Sequence, residues 1–273
     1  MAGNKVIAVD LGGSNLRIAL VENNKILKLT AKKTPMHGNL LVRELISGIE
    51  SLISKDVKGI GVGSAGPLLN GVIKNPPNLP LRNFNLKKTL ENKFKIRVEV
   101  ENDANCAALA EAKLGVKKRN FFMLTLGTGI GGGVIIDGKL YVGGGYGGEL
   151  GHIILDRGKD FENLAAWRGL RILTKKTFGR ELKVIELLKM KDTRAEKILD
   201  NTTEYLAQGI GSLINVFDPE VVVLSGGVSE TGDKFLNMIK KKVPKYSMLP
   251  KKTPIVWSRL REPNVLGASL LLK

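Results

Sequence analysis

The chain holds a single cysteine, Cys106, among its 273 residues. One cysteine can form neither an intrachain disulfide nor a cysteine-based zinc site, which favours a reducing, cytoplasmic setting. No apolar run reaches the ~18 residues needed to span a bilayer. The strand-like run "VIAVD" begins at residue 6 and leaves no room for a signal peptide. We therefore expect a cytoplasmic protein without a membrane partner.

Acidic and aromatic residues are also scarce. Asp and Glu number 26 against 43 Lys and Arg, which gives a net charge of +17, and aromatic residues make up 5%. Such a charge could attract nucleic acid, an anionic membrane surface or a polyanionic substrate. However, the basic residues are scattered, and no aromatic residues interleave with them to form a stacking platform for bases. We favour a solvated, lysine-rich surface and expect no nucleic-acid partner.

Three apolar runs each lead into a glycine turn. They are "VIAVDLGGSNLRIAL" (6–20), "FFMLTLGTGIGGGVIIDGKLYVG" (121–143) and "VVVLSGGVS" (221–229). The first two continue into a further strand, so their glycines are predicted to lie at the tips of antiparallel hairpins. Asn23-Asn24 and Asp137-Gly138 are typical of tight hairpin turns at the far ends of the same segments.

Helical periodicity is clear in three other segments. Leucines and isoleucines at 41, 45, 49 and 52 predict a helix over 39–54, and two further helices are predicted over 193–216 and 232–242. The long one should end before Asp218-Pro219, because proline restricts the residue preceding it. Strand hairpins, helices and strands thus follow one another twice, with a seam near 103–116. This order predicts an α/β architecture with two closely joined lobes.

The glycine turns fail the tests for common nucleotide motifs. "GTGIGG" (127–132) matches the dinucleotide-binding pattern but leads into a strand, where that motif requires a helix. "GVIIDGKL" (133–140) lacks the final Ser or Thr of a P-loop. Successive backbone amides in a glycine turn can still bind an anion. The turns are either simple hairpin glycines or phosphate-binding turns, and their recurrence beside the hydroxyls of Ser14 and Thr128 favours phosphate.

Two aspartates follow strands directly. Asp10 precedes Gly12-Gly13 and is either a turn residue or a holder of hydrated Mg²⁺, an ion that often takes one protein carboxylate. Asp103 lies in "VENDANCAALAEA" (100–112), where a strand becomes an alanine-rich helix. Asn or Asp at this point commonly caps the helix. The alternative is that Asp103 is a general base, oriented by Asn102 and Asn105, whose carboxylate form the helix N-terminus stabilises.

Five segments in this order resemble the ROK family of sugar kinases: "DLGGSNLR" (10–17), "ENDANCAALAE" (101–111), "LGTGIGGGVI" (126–135), "GGELGHI" (147–153) and "DPEVVVLSGGVS" (218–229). The resemblance extends to "LGASLLL" (266–272). It implies the two-lobed, actin-like (ribonuclease H-like) ATPase fold, in which each lobe is a mixed β-sheet flanked by helices. The implied small lobe is 1–105, completed by the C-terminal helix 264–273, and the large lobe is 106–263.

The resemblance also implies a role for each matching residue. Asp103 would be the base that takes the proton from the sugar 6-hydroxyl. The implied sugar-binding residues are Asn78, Asn102, Asp103, Glu149, His152 and Glu162. The implied cofactor-binding residues are Asp10, Gly12, Gly13, Ser14, Gly127, Thr128, Gly129, Gly226 and Gly227. The last two would form an adenosine loop, and Asp10 would hold Mg²⁺ through water.

Many relatives of this kind carry a zinc loop with three cysteines after the Gly-His pair. The corresponding stretch here, "LDRGKDFENLA" (155–165), has no cysteine. We therefore expect ATP and Mg²⁺ as cofactors and no zinc. Some members are repressors with an N-terminal helix-turn-helix. Here the segment with the first glycine turn begins at residue 10, so we expect no such domain.

The resulting hypothesis is a glucokinase that phosphorylates a hexose at its 6-hydroxyl with ATP and Mg²⁺, with a role in glycolysis. The net charge motivates an alternative, a polyphosphate-dependent glucokinase. Other open substrates are mannose, N-acetylmannosamine and N-acetylglucosamine, and a remoter possibility is a non-catalytic sugar sensor. The implied assembly is a homo-oligomer, a dimer or tetramer.

Overall fold

The computed structural model describes residues 4–273 and divides into two compact units. The first comprises the chain up to Lys117 with Val142–Gly147 and Leu260–Lys273, and the second comprises Lys118–Tyr141 with Gly148–Arg259. The sequence-based lobes, 1–105 with 264–273 and 106–263, have different bounds, and residues 1–3 of that division lie outside the described part. That division stays a prediction.

The first unit is built on a mixed five-stranded sheet of order β3-β2-β1-β4-β8. The first three strands pair antiparallel, and β4 and β8 extend the sheet in parallel. A small antiparallel sheet of β5, β6 and β7 accompanies it. The strands are β1 (Lys5–Leu11), β2 (Asn15–Glu22), β3 (Lys25–Lys33), β4 (Val57–Ser64), β5 (Leu68–Leu69), β6 (Val72–Ile73), β7 (Phe84–Asn85) and β8 (Arg97–Asn102).

Alternate residues of a strand point to opposite faces of the sheet. Helices pack against both faces of this sheet. Its helices are α1 (Gly38–Glu50), α2 (Leu86–Phe94), α3 (Asp103–Lys113) and α9 (Pro263–Leu270). Ile7 and Val9 of β1 belong to a core with the buried faces of α1 and α2. Ala8 belongs to a second core with Cys106 of α3 and Val265 of α9.

The second unit repeats the same sheet plan, with strand order β11-β10-β9-β14-β15. Here β9 pairs antiparallel with β10 and parallel with β14, and β12 and β13 form a separate hairpin. The strands are β9 (Phe121–Leu126), β10 (Ile130–Ile136), β11 (Lys139–Leu140), β12 (Ile154–Asp156), β13 (Lys159–Asp160), β14 (Val221–Ser225) and β15 (Ile255–Trp257). The helices are α4 (Phe161–Ala165), α5 (Trp167–Phe178), α6 (Val184–Leu187), α7 (Thr193–Phe217) and α8 (Gly232–Lys242).

The predicted α/β fold with mixed sheets is confirmed, and so are its main elements. The first two glycine turns join antiparallel strands, and the turns at Asn23-Asn24 and Asp137-Gly138 have positive φ at both residues, as type I′ turns require. The helix predicted over 39–54 ends earlier, at Glu50, where Ser51 forms the C-cap. Among residues 4–273, no helix combines the length and apolar character required to cross a membrane.

Candidate active site

The first glycine turn, Gly12–Ser14, joins β1 to β2 and is held by Thr34. The Thr34 hydroxyl donates to the carbonyl oxygen of Gly12 at 2.6 Å, and its backbone N–H donates to the carbonyl oxygen of Ser14 at 3.0 Å. Thr34 is only 6% exposed. Sequence reasoning did not identify Thr34, which lies beside the turn because β3 pairs with β2 so that Lys33 lies opposite Asn15.

Asp10, the second-last residue of β1, lies just before this turn and is almost completely buried, with 4% exposure. Its Oδ2 accepts from Arg17 Nη1 at 2.9 Å, and Arg17 also pairs with Glu262 at 3.3 Å. Burial raises the pKa of the Asp10 carboxyl to about 6, although the Arg17 guanidinium and a hydrogen bond from Asn264 oppose that rise. Because these donors already engage the carboxylate, Asp10 fits a contact to Mg²⁺ through water better than direct coordination.

Asn78 lies against the same turn. A β-carbon on Gly13 would be 2.6 Å from the Asn78 Cβ, so the turn approaches Asn78 as closely as glycine permits. Asn78 is exposed. The first unit therefore brings a predicted sugar residue next to a predicted phosphate turn.

Asn102, at the end of β8, is the cap of helix α3. Its Oδ1 accepts from the backbone N–H groups of Ala104 at 2.9 Å and Asn105 at 3.2 Å. The Asn102 Nδ2 makes only a long contact of 3.5 Å to the carbonyl oxygen of Gly66. The cap thus occupies the oxygen of this amide and leaves its nitrogen as the donor that a sugar hydroxyl could use.

Asp103 is the first residue of α3 and is half-buried. Its Oδ1 accepts from the N–H of Ala104 at 2.9 Å. Asn105, which the sequence led us to expect beside Asp103, donates from Nδ2 to Glu101 Oε1 at 3.0 Å. Glu101 also accepts from the backbone N–H of Asn102 at 2.8 Å, so Glu101 and Asn105 brace the segment around Asp103.

The second glycine turn, Gly127–Gly129, joins β9 to β10 in the second unit. Gly127 N–H donates to the Gly129 carbonyl at 2.9 Å. The first two N–H groups of α5, from Trp167 and Arg168, donate to the carbonyls of Gly127 and Thr128 at 3.2 and 3.1 Å. Within residues 4–273, no hydrogen bond engages the amides of Thr128 and Gly129, which are therefore the donors this turn offers to an anion.

Glu162 of α4 lies directly against this turn. Its Oε2 accepts from the Ile130 N–H at 3.0 Å and would be 1.9 Å from a β-carbon on Gly129. Its Oε1 pairs with Arg168 Nη1 at 3.2 Å, and the carboxylate side chain is only 13% exposed. Glu162, a predicted sugar-binding residue, therefore lies against the predicted phosphate-binding turn Gly127–Gly129. Arg168, which the sequence did not single out, lies next to both of them.

Glu149 immediately precedes a single 3₁₀ turn over Leu150–His152, and His152 is the last residue of that turn. Residues three apart in a 3₁₀ turn lie on the same side of the chain. His152 Nδ1 lies 3.3 Å from Asp160 Oδ2. The Asp160 Oδ1 accepts from the Asn163 N–H at 2.8 Å and so caps α4. Asp160 therefore links His152 to the helix that carries Glu162.

The third glycine turn follows β14. Gly226 has φ 98° and ψ 179°, a conformation open almost only to glycine, and it packs on the backbone of Leu126 at the end of β9. A cavity of about 230 Å³ opens beside it in the second unit, with Gly127 and Gly227 on its wall. This volume is below the ~300–1,000 Å³ usual for a whole drug-sized ligand and suits part of one. Its apolar lining includes Leu126, Trp167, Leu170, Val184, Val228 and Phe235.

Among residues 4–273, no group of three or more His, Cys, Asp or Glu side chains is arranged to hold a metal ion. The segment after His152 is a short hairpin, β12 and β13, in which Asp160 and not a cysteine faces the histidine.

Comparisons with known proteins agree with this layout. The model of the ROK family matches residues 6–273. A glucokinase of Thermotoga maritima is 28% identical, and the match covers 98% of this chain and 97% of that protein. The crystal structure of a ROK hexokinase from Thermus thermophilus superposes with a TM-score of 0.85 and 33% identity, covering 98% of this chain and 97% of the other. A ROK glucokinase from Streptomyces griseus, solved with glucose and AMPPNP, gives a TM-score of 0.87, 26% identity and coverages of 98% and 99%.

Proposed function

Because this chain belongs to the ROK family, we propose that it transfers the terminal phosphoryl group of ATP to the 6-hydroxyl of a hexose, with glucose as the principal substrate. The glucokinase of Thermotoga maritima and the glucose- and AMPPNP-bound relative from Streptomyces griseus support this choice of acceptor and donor.

The observation that carries the proposal is the position of Asp103. Helix caps are commonly Asn or Asp, yet Asn102 is already the N-cap of α3, so the helix does not need a second capping residue in the carboxylate that follows it. Asp103 is half-buried in the first turn, where the helix N-terminus stabilises the ionised form that a base needs. This placement supports Asp103 as the group that accepts the proton of the sugar 6-hydroxyl.

The remaining residues bind and orient the two substrates. We assign Asn78, the Asn102 Nδ2, Glu149, His152 and Glu162 to sugar hydroxyls. The Gly12–Ser14 turn suits the nucleotide phosphates, and so do the amides of Thr128 and Gly129, which no hydrogen bond engages within residues 4–273. The apolar cavity beside Gly227, with Trp167 on its wall, suits the adenine ring.

A Mg²⁺ ion would neutralise phosphate charge during transfer, and Asp10 is the residue we propose to hold it, through water. The reaction itself needs little covalent help from the protein. The sugar O6 forms a bond to the γ-phosphorus, its proton passes to Asp103, and the bond from that phosphorus to the β–γ bridging oxygen breaks to release ADP. The contribution of the chain is to position both substrates and stabilise the charge on the phosphoryl group.

The test is ADP release with ATP, Mg²⁺ and a panel of glucose, mannose, N-acetylmannosamine and N-acetylglucosamine, for wild type and Asp103→Asn. We expect glucose-dependent release that falls by about 10²–10⁴-fold in kcat in the variant, while glucose binding measured by calorimetry persists. Comparable turnover in the variant would remove Asp103 as the base. Sugar binding without ADP release from the wild type would point to polyphosphate as the donor, and a lack of turnover with polyphosphate as well would then indicate a sugar sensor.

The net charge of +17 favours one second candidate, polyphosphate as the phosphoryl donor. Replacing ATP by polyphosphate at rising salt separates the two donors. Turnover with polyphosphate that declines steeply with salt would support it, and turnover with ATP alone would eliminate it.

We further propose a cytoplasmic enzyme of carbohydrate metabolism that supplies phosphorylated hexose to glycolysis and works as a dimer or tetramer. The single buried cysteine suits a reducing compartment. Light scattering of the purified chain tests the assembly, and a monomer across the working concentration range would exclude it.

A further inference from the structure

Arg168 is fixed beside the second glycine turn by its own backbone. Its N–H donates to the carbonyl oxygen of Thr128 at 3.1 Å, in the first turn of α5. Its guanidinium Nη1 lies 3.2 Å from Glu162 Oε1, and 34% of the side chain is exposed. The other oxygen of Glu162 lies against Gly129, so the Glu162 carboxylate lies between the Arg168 guanidinium and the second glycine turn.

The carboxylate of Glu162 poses an electrostatic problem for this turn. A negative charge next to amides that bind phosphate repels the phosphate, and the repulsion is strong where the carboxylate is 87% shielded from solvent. A cation must offset it for the turn to hold a polyanion. Arg168 is the partner that the structure gives this carboxylate.

The guanidinium of Arg168 has more hydrogen-bond donors than its ion pair with Glu162 uses. Its planar guanidinium carries five N–H donors, and only one contact of that group is made to Glu162. Arginine recognises phosphate through paired, charge-assisted hydrogen bonds. The exposed part of the group can thus donate to a phosphate while the pair with Glu162 persists.

We infer that Arg168 is a phosphate-binding residue, whose guanidinium donates to the β- or γ-phosphate of the nucleotide held at Gly127–Gly129. This inference rests on the proposed function. In the reaction, such a cation stabilises the charge that spreads over the oxygens of the transferred phosphoryl group.

The test measures binding of AMP, ADP and AMPPNP by calorimetry to wild type and Arg168→Gln. We expect the AMPPNP affinity to fall at least about tenfold, the loss typical of one hydrogen bond to a charged group, and the AMP affinity to change less than about twofold. Arg171→Gln is the matched control, because Arg171 lies one turn later on α5 and pairs with Glu181 at 3.9 Å. Its affinities for all three nucleotides should stay within about twofold of wild type.

A double-mutant cycle with Glu162→Gln separates direct contact from charge neutralisation. If Arg168 touches phosphate, Arg168→Gln also weakens AMPPNP binding in the Glu162→Gln background. If Arg168→Gln leaves the AMPPNP affinity unchanged in the Glu162→Gln background, Arg168 only neutralises Glu162 and the inference is wrong. Equal losses for AMP and AMPPNP would likewise overturn it, since they would indicate a structural defect.

Should Arg168→Gln not fold, Arg168→Lys answers the same question. It keeps the charge but not the planar fork, so we expect a smaller loss that is still selective for AMPPNP. An unchanged ratio of AMPPNP to AMP affinity would overturn the inference while leaving the proposed function standing. A wild type that binds none of the three nucleotides would overturn both.

Discussion

The side chain of Asn102 caps the helix of which Asp103 is the first residue. Asn102 Oδ1 accepts hydrogen bonds from the N–H groups of Ala104 and Asn105, and Asp103 Oδ1 accepts one from the N–H group of Ala104. Two adjacent residues thus divide two tasks, one holding the helix end and the other placing a carboxylate there. This division means that the stability of α3 and the chemistry of Asp103 can be altered separately.

Replacing Asn102 tests both tasks of that residue. Asn102→Ala should lower the free energy of unfolding by about 1 kcal/mol, because the cap is lost. Asn102→Ser keeps a capping oxygen but lacks the amide nitrogen, so it should retain wild-type stability and raise the KM for glucose by about tenfold. Urea unfolding and steady-state kinetics measure the two effects.

The serine variant is the decisive one. A wild-type KM for glucose in Asn102→Ser would show that Nδ2 does not bind the sugar. Equal stability of Asn102→Ala and wild type would show that the cap contributes little to α3.

Gly226 and Gly227 should differ sharply despite being neighbours. Gly226 has φ 98°, and a β-carbon there would lie 2.2 Å from the carbonyl oxygen of Leu126, whereas nothing lies within 4 Å of a β-carbon on Gly227. Gly226→Ala should therefore lose at least about 2 kcal/mol of unfolding free energy. Gly227→Ala should stay within about 0.5 kcal/mol of wild type.

Chemical denaturation of the two alanine variants checks this. Similar stabilities would mean that the turn after β14 relaxes to accept a side chain. The predicted difference would identify Gly226 as the residue that sets the backbone path at the cavity.

The sequence predicts those parts of this molecule that local pattern controls. The stripe of Leu41, Leu45 and Ile49 predicts α1, and the proline after Asp218 predicts the end of α7. The hairpins follow from glycine turns between apolar runs. Each of these signals lies within one segment, and the structure confirms each of them.

Contacts between distant segments are not visible in such patterns. Thr34 reaches Gly12 across 22 residues, and Ile130 reaches Glu162 across 32. These pairings depend on strand register and on where α4 and α5 begin, and Arg168 gains its position from the same packing. The resemblance supplied Glu162 as a sugar residue, but only the fold places it against Gly129.

Thr34→Val tests whether the first glycine turn depends on the hydroxyl that holds it. Valine keeps the shape but leaves the Gly12 carbonyl without its donor in a buried position, which should cost about 1–3 kcal/mol of unfolding free energy. We also expect a several-fold higher KM for ATP, because the turn becomes less ordered. Unfolding midpoints and ATP titrations measure both.

Thr34→Ser is the control, since it keeps the hydroxyl and loses one methyl, worth about 0.8 kcal/mol. A valine variant with the ATP kinetics of the serine variant would show that the Gly12–Ser14 turn holds its shape without Thr34.

The buried carboxyl of Asp10 should make stability depend on pH. Burial raises its pKa from 3.8 to about 6, so between these values the folded chain holds a proton that the unfolded chain has released. The free energy of unfolding therefore falls as pH rises through this window, by about 3 kcal/mol in all at 1.4 kcal/mol per unit. Below pH 4 the protonated Asp10 carboxyl makes its full contribution to the free energy of unfolding, and above pH 6 that contribution is lost.

Asp10→Asn lacks this titration, and in the variant Arg17 loses its ion pair with Asp10 at pH values above the window while its pair with Glu262 remains. The expected result is that the stability of the variant relative to wild type increases from pH 4 to pH 6 and is constant above it. Urea unfolding at half-unit pH steps gives this difference directly. A difference that stays constant from pH 4 to pH 6 would mean that the Asp10 carboxyl titrates near its ordinary value.

The same titration should limit catalysis, because an ionised carboxyl accepts hydrogen bonds from Mg²⁺-bound water more strongly than a protonated one does. The KM for Mg²⁺ should rise as pH falls below about 6, whereas the KM for glucose should not follow this curve. Bound Mg²⁺ favours the carboxylate, so saturating metal should shift the acid limb of kcat to lower pH. An acid limb that does not move with Mg²⁺ concentration would separate Asp10 from the metal and leave its pairing with Arg17 as its role.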